Sequence, residues 1–80
     1  MHYVYLIESV HDRGRLYVGQ TQNLKARIGD HNSGRSTYTR QFRPWHLSCY
    51  LGFADERTAV AFERYLKSGS AKTFMRRHFF

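Results

Sequence analysis

Between Asp55 and Lys67 the residues Ala59, Phe62, Glu63 and Leu66 recur at spacings that place them on one face of a helix. Such a stripe has to lie against another apolar surface, and Glu63 adds a second demand. A carboxylate taken out of water is costly unless a cation or a strong donor meets it. The fold must therefore supply both an apolar platform and a partner for this acid, which a structural ion pair with Arg27 or Lys67 would also satisfy. Asp55 is the expected N-cap of this helix and Gly69 its expected end.

The platform is legible upstream. The segments His2 to Glu8 and Arg15 to Gly19 are rich in aromatic and β-branched residues, with turn material from His11 to Gly14 between them. They predict a β-hairpin in which Val4, Leu6, Leu16 and Val18 line one side and Tyr3, Tyr5 and Tyr17 the other. A third strand is expected from Trp45 to Phe53, where strict alternation puts Trp45, Leu47, Cys49, Leu51 and Phe53 on a buried face.

Thr21 is the expected N-cap of a helix running from Asn23 to His31, and Gly34 lies where it should stop. Leu24 and Ile28 point inward, while Arg27 and His31, also four apart, flank that line and aim toward the sheet. From Ser33 to Pro44 no period is evident. Arginines, hydroxyls and aromatics there predict an exposed basic loop able to touch phosphates, with Tyr38 and Phe42 as rings for unpaired bases. A short basic helix from Ser70 to His78 is expected to close the chain.

Eighty residues make one domain, residues 1–80, which buries about 60% of its unfolded surface. Thirteen Lys and Arg against six acids give a formal charge of +7 and a pI near 10.1, which favours a polyanionic partner, nucleic acid before membrane. The single cysteine, Cys49, has no internal disulfide partner and sits on an apolar strand face, so it reads as core. Neither a leader nor a long apolar run is present, so a soluble, cytoplasmic chain is expected, without membrane contact. The five histidines lack zinc-ligand spacing.

Strand, strand, helix, strand, helix, helix now carries Tyr5, Tyr17-Val18-Gly19, Arg27, His31 and Glu63 at defined places, and this arrangement resembles the GIY-YIG nuclease family. Tyr3-Val4-Tyr5 stands for the first tripeptide and Tyr17-Val18-Gly19 for the second, followed by Gln20-Thr21 and the helical Arg27. The segments Tyr38-Thr39-Arg40, Arg43-Pro44-Trp45 and Glu63 to Gly69 further resemble its small stand-alone bacterial members, which share this catalytic module with the incision subunit of nucleotide excision repair. Three positions depart from the pattern. Tyr3 replaces the opening glycine, Gln20 stands where some relatives have a basic residue, and an asparagine found late in several branches has no counterpart after Leu66.

The resemblance implies an α/β (α+β) domain with a three-stranded, mainly antiparallel sheet flanked by helices in the order β-β-α-β-α-α. It implies a metal-dependent endonuclease that hydrolyses DNA phosphodiesters. Tyr17 would take a proton from the attacking water, directly or through a relay, Arg27 would pair with the non-bridging oxygens, and Glu63 would hold a single Mg²⁺ or Mn²⁺. His31 and Tyr5 would orient water or phosphate. Gly19, Lys25, Arg35, Tyr38, Arg40, Arg43, Lys67 and Lys72 are the expected nucleic-acid contacts. With no appended DNA-reading module, selection of structure is expected, such as flaps, branches, nicks or single strands, in repair or recombination, with a targeting partner protein allowed and RNA not excluded as substrate. The rival is a nucleic-acid-binding module of the same fold without useful catalysis. Taken singly, Tyr5 and Tyr17 are ordinary strand residues, Arg27 an ordinary solvated helix residue and His31 a cation at a helix C-terminus.

Overall fold

A computed structural model describes residues 1–69. The closing helix expected from Ser70 to His78, and Lys72 within it, lie outside the described residues. In chain order the elements are β1 (His2–Ser9), β2 (Leu16–Thr21), α1 (Leu24–Ser33), a 3₁₀ turn (Thr39–Phe42), β3 (Trp45–Phe53) and α2 (Glu56–Leu66).

The strands form one antiparallel sheet in the order β2-β1-β3, so the first strand is central and bonded on both sides. Its composition suits that place. Val4, Tyr5, Leu6 and Ile7 are consecutive and all buried, the continuous run expected of a strand covered on both faces. Val4, Leu6 and Val18 form one core with Ala59 and Leu66 of α2, joined by Phe62, Leu16, Cys49 and Phe53. Tyr5, Ile7 and Trp45 form the other core, against which Leu24 and Ile28 of α1, Tyr17 and Phe42 pack. The two helices therefore cover opposite faces. Each fully buried apolar side chain contributes about 1.5–3 kcal/mol.

Both hairpin faces follow the alternation in the sequence, but β3 does not. Leu6 pairs with Cys49 and Ile7 with Leu47, so Ser48 is an extra residue and the register shifts there. The bulge flips the strand, placing Trp45 in the α1-side core and Cys49 and Phe53 in the α2-side core. The single buried face expected for β3 is thus corrected: Leu47 and Leu51 are exposed. Burial pushes the Cys49 thiol pKa up, which disfavours the thiolate and agrees with a packing role.

The caps need one correction. Asn23, not Thr21, is the N-cap of α1, its side chain accepting from the Ala26 N–H at 3.1 Å. Thr21 still belongs to β2, and its Oγ1 accepts from the Asn23 N–H at 3.1 Å, shaping the turn into the helix. Gly34 ends α1 as expected, at φ 88°, a left-handed conformation that glycine adopts without cost. Asp55 caps α2 by accepting from the Arg57 N–H, and the helix stops at Leu66 with Lys67 as C-cap, ahead of Gly69.

Candidate active site

The site begins with Tyr5 and the residue opposite it. Tyr5 pairs with Gly19 across the hairpin, and its ring lies against that glycine so closely that a Cβ there would collide with the hydroxyl and stand 2.6 Å from Cζ. Gly19, expected as a nucleic-acid contact, is buried and makes room for Tyr5. Tyr17 pairs with Ile7 on the same face, which sets it diagonally beside Tyr5.

From the opposite side α1 brings Arg27 and His31, one helical turn apart. The Tyr5 hydroxyl is 2.8 Å from His31 Nε2, and Arg27 Nε donates to the same hydroxyl at 3.4 Å. On its far side His31 Nδ1 is 2.6 Å from Thr39 Oγ1. Burial, and then the charge of Arg27, push the His31 pKa down, so the ring is neutral and carries one proton. Tyr5 is 1% exposed and has no solvent to receive its proton. The arrangement that satisfies every group has Tyr5 O–H donating to Nε2 and Nδ1–H donating to Thr39. Burial raises the Tyr5 pKa despite the opposing hydrogen bond and charge of Arg27, which keeps the phenol protonated.

Tyr17 lies above this pair. Its ring centroid is 5.2 Å from that of His31 in an edge-to-face arrangement, and its hydroxyl makes no hydrogen bond to any of the described residues. Tyr38 follows at 6.2 Å from Tyr17, and Phe42 at 5.5 Å from Tyr38. The basic loop is more ordered than its sequence suggests. Thr39 is fully buried, its carbonyl accepts from Trp45 Nε1 at 2.7 Å, and Ser9 Oγ donates to the Phe42 carbonyl at 2.6 Å. Asn32 brackets the Trp45 backbone, accepting from its N–H at 2.6 Å and donating to its carbonyl at 3.1 Å. Phe42 is not free to receive a base on both faces, since it packs in the α1-side core and Arg15 Cζ lies 3.8 Å over its ring.

Glu63 reaches this cluster from α2. Its side chain is 18% exposed, at the margin of the stripe and not at its centre, and its Oε1 is 3.2 Å from Lys67 Nζ. Lys67 is thus the partner that the sequence left open between two candidates, while Arg27 turns to Tyr5 and, at 3.9 Å, to Asp30. The Lys67 ammonium also stands 6.0 Å from the Tyr17 ring centroid, and the Glu63 charge is near enough to push the Tyr5 pKa further up. Tyr5, Tyr17, Arg27, His31, Glu63 and Lys67 therefore share one neighbourhood, drawn from β1, β2, α1 and the end of α2. Among the described residues no group of three or more His, Cys, Asp or Glu side chains is placed to chelate a metal.

Of the remaining expected contacts, Lys25, Arg35, Tyr38, Arg40 and Arg43 are exposed. Arg35 is paired with Asp30 at 3.6 Å, and the Arg43 guanidinium packs on Gly34. Thr39, Asn32 and Arg15 were missed by sequence reasoning, because the contacts that matter, to His31 and Trp45, to Trp45, and to Tyr38 and Phe42, form only in the folded chain. Among the described residues no helix is long and apolar enough to cross a membrane.

The chain is similar to known proteins in sequence and fold. A UPF0213 protein of Bacillus cereus is 39% identical over 72 residues, covering 89% of this chain and 73% of that one. The solution NMR structure of a UPF0213 protein of Bacillus halodurans superposes with a TM-score of 0.57 at 32% identity, covering 95% of this chain and 82% of that one. A structure-specific endonuclease subunit SLX1 homolog of Leishmania infantum is 38% identical over 69 residues, 78% of this chain but 10% of that protein's length. The model of the GIY-YIG catalytic domain matches residues 1–77, and the chain belongs to the GIY-YIG family of nuclease catalytic domains.

Proposed function

We propose that the protein is a divalent-metal-dependent endonuclease that hydrolyses DNA phosphodiesters at branched, flapped, nicked or single-stranded structures, in repair or recombination. The observation that carries this reading is the grouping of Tyr17, whose hydroxyl has no partner among the described residues, with His31 and Arg27, and with Glu63 through Lys67. Structure selectivity draws support from the similarity to a structure-specific endonuclease subunit SLX1 homolog, and Tyr38, 47% exposed beside Tyr17, offers a ring for an unpaired base.

In this reading the Tyr17 oxygen takes the proton of the attacking water while its own hydroxyl proton passes to solvent, so that the nucleophile forms without a net gain of protons by the side chain. Arg27 spends Nε on Tyr5, and its Nη1 makes only a long 3.9 Å contact with Asp30 that a non-bridging oxygen would replace, its planar fork matching phosphate geometry. Tyr5 and His31 lie too deep to touch substrate and act by fixing Arg27 and the floor beneath Tyr17. Glu63 suits a single Mg²⁺ or Mn²⁺ that keeps most of its waters, since it offers a hard oxygen with Lys67 as its one partner among the described residues. When bound, the ion supplies positive charge to the phosphate and the leaving oxygen.

The test is cleavage of labelled branched, single-stranded and duplex DNA with Mg²⁺, Mn²⁺ or chelator. Metal-dependent cutting that prefers branched or unpaired DNA, and is lost in Glu63→Ala and Tyr17→Phe, is expected. Binding that persists while no metal supports cleavage would instead make this a nucleic-acid-binding module.

A further inference from the structure

Lys67 is tied to the site in two ways beyond its position in the chain. Its backbone N–H closes α2 by donating to the Glu63 carbonyl at 3.1 Å, which fixes where its side chain starts. From there Nζ lies between the Glu63 carboxylate, at 3.2 Å, and the Tyr17 ring, at 6.0 Å from the centroid. Arg27 is engaged with Tyr5 and Asp30, so Lys67 is the cation that balances Glu63 among the described residues.

We propose that Lys67 is a resident counter-ion that competes with the divalent metal for Glu63, and that on giving up the carboxylate it turns to the substrate phosphate beside Tyr17. This rests on the reading of Glu63 as the metal ligand. The strength of the contact suits such an exchange. A Lys–Glu pair four residues apart on a helix is a weak bond, and Lys67 is 51% exposed on a flexible stem, free to swing without leaving water. A phosphate arriving near Tyr17 offers the ammonium an alternative partner of equal sign. DNA and metal then favour each other's binding through one side chain, and the coupling is reciprocal.

Mn²⁺ binding, read from the EPR signal of the free ion, separates the possibilities. Without DNA, Lys67→Met should bind Mn²⁺ about two- to fivefold more tightly than the parent, the equilibrium equivalent of losing one competing pair. Lys67→Arg, which keeps the charge, should stay near the parent. In a Tyr17→Phe background that prevents turnover, branched DNA should raise Mn²⁺ affinity in the parent more than in Lys67→Met. Equal Mn²⁺ affinity for parent and Lys67→Met without DNA overturns the proposal while leaving Glu63 as ligand. Unchanged Mn²⁺ binding in Glu63→Gln, or none in the parent with or without DNA, overturns the metal reading itself and this proposal with it.

Discussion

Tyr5 and His31 share a 2.8 Å hydrogen bond in a place where neither exposes more than 1% of its surface. A bond of this kind is expensive to lose, because the group left behind has no water to turn to. It also gives these two buried residues a part in the proposed active site, that of support. Arg27 must hold a defined position if it is to meet a phosphate as charge builds, and the Tyr5 oxygen is where its Nε is held.

The two tyrosines should therefore respond in opposite ways to the same substitution. Tyr5→Phe strands His31 Nε2 and removes the anchor of Arg27, so about 1–3 kcal/mol of stability is expected to be lost. Tyr17→Phe removes a hydroxyl without a hydrogen-bond partner among the described residues, so stability should change by less than about 0.5 kcal/mol while cleavage falls about 10²–10⁴-fold. Thermal unfolding and single-turnover cleavage of both variants give the comparison. Equal stability losses would remove the distinction between support and reacting group.

Acid should weaken the fold through His31. Its pKa is depressed in the folded chain, so the unfolded chain takes up this proton first, near the ordinary value of about 6.5. Stability is complete above that value and is lost as pH falls from it through the lower folded pKa, at no more than about 1.4 kcal/mol per pH unit for one proton. Below the folded pKa both states are protonated and His31 adds no further slope. Denaturant unfolding between pH 7 and pH 4 should show this limb, and His31→Gln should flatten it. A variant with the same slope as the parent would assign the acid sensitivity elsewhere.

Gly19 is predicted to act by making space. Its Cα faces the Tyr5 ring, and an added methyl would have to push the ring, which is packed against α1, out of line. Overpacking of this size costs about 1–3 kcal/mol. Gly19→Ala should lower stability by that amount and reduce cleavage more than DNA binding. If DNA binding falls while stability and turnover hold, Gly19 is a substrate contact after all.

Much of this was legible because the signals were local. The hairpin faces, the inward line of Leu24 and Ile28, the stop at Gly34 and the Asp55 cap each depend on residues a few positions apart, where periodicity and capping chemistry operate. Tyr17, Arg27, His31 and Glu63 could be placed on their elements for the same reason, but their expected roles came from the family resemblance, since Tyr17, Arg27 and His31 taken singly are ordinary strand and helix residues. The flip of β3 could not be read, since the extra residue at Ser48 leaves the alternation on paper intact and is decided by pairing with β1. Thr21 and Asn23 are both good caps by type, and the end of β2 chose between them. Thr39 escaped notice because its burial is created by His31 and Trp45, which approach it only in the folded chain.

The basic loop provides the last prediction. Arg35 and Arg40 are exposed and outside both cores, so replacing them by alanine should leave the fold within about 0.5 kcal/mol of the parent. If each meets one phosphate, each alanine should lower the slope of log affinity against log salt by about 0.7 for single-stranded and 0.9 for duplex DNA, because one fewer counterion is released. The loss should be similar for DNA of different sequences, since phosphates carry no base identity. Arg43→Ala differs, because its guanidinium packs on Gly34, and should cost some stability as well as affinity. Salt titrations of binding on two unrelated branched DNAs test all three, and a slope unchanged in Arg35→Ala and Arg40→Ala would take these arginines off the DNA path.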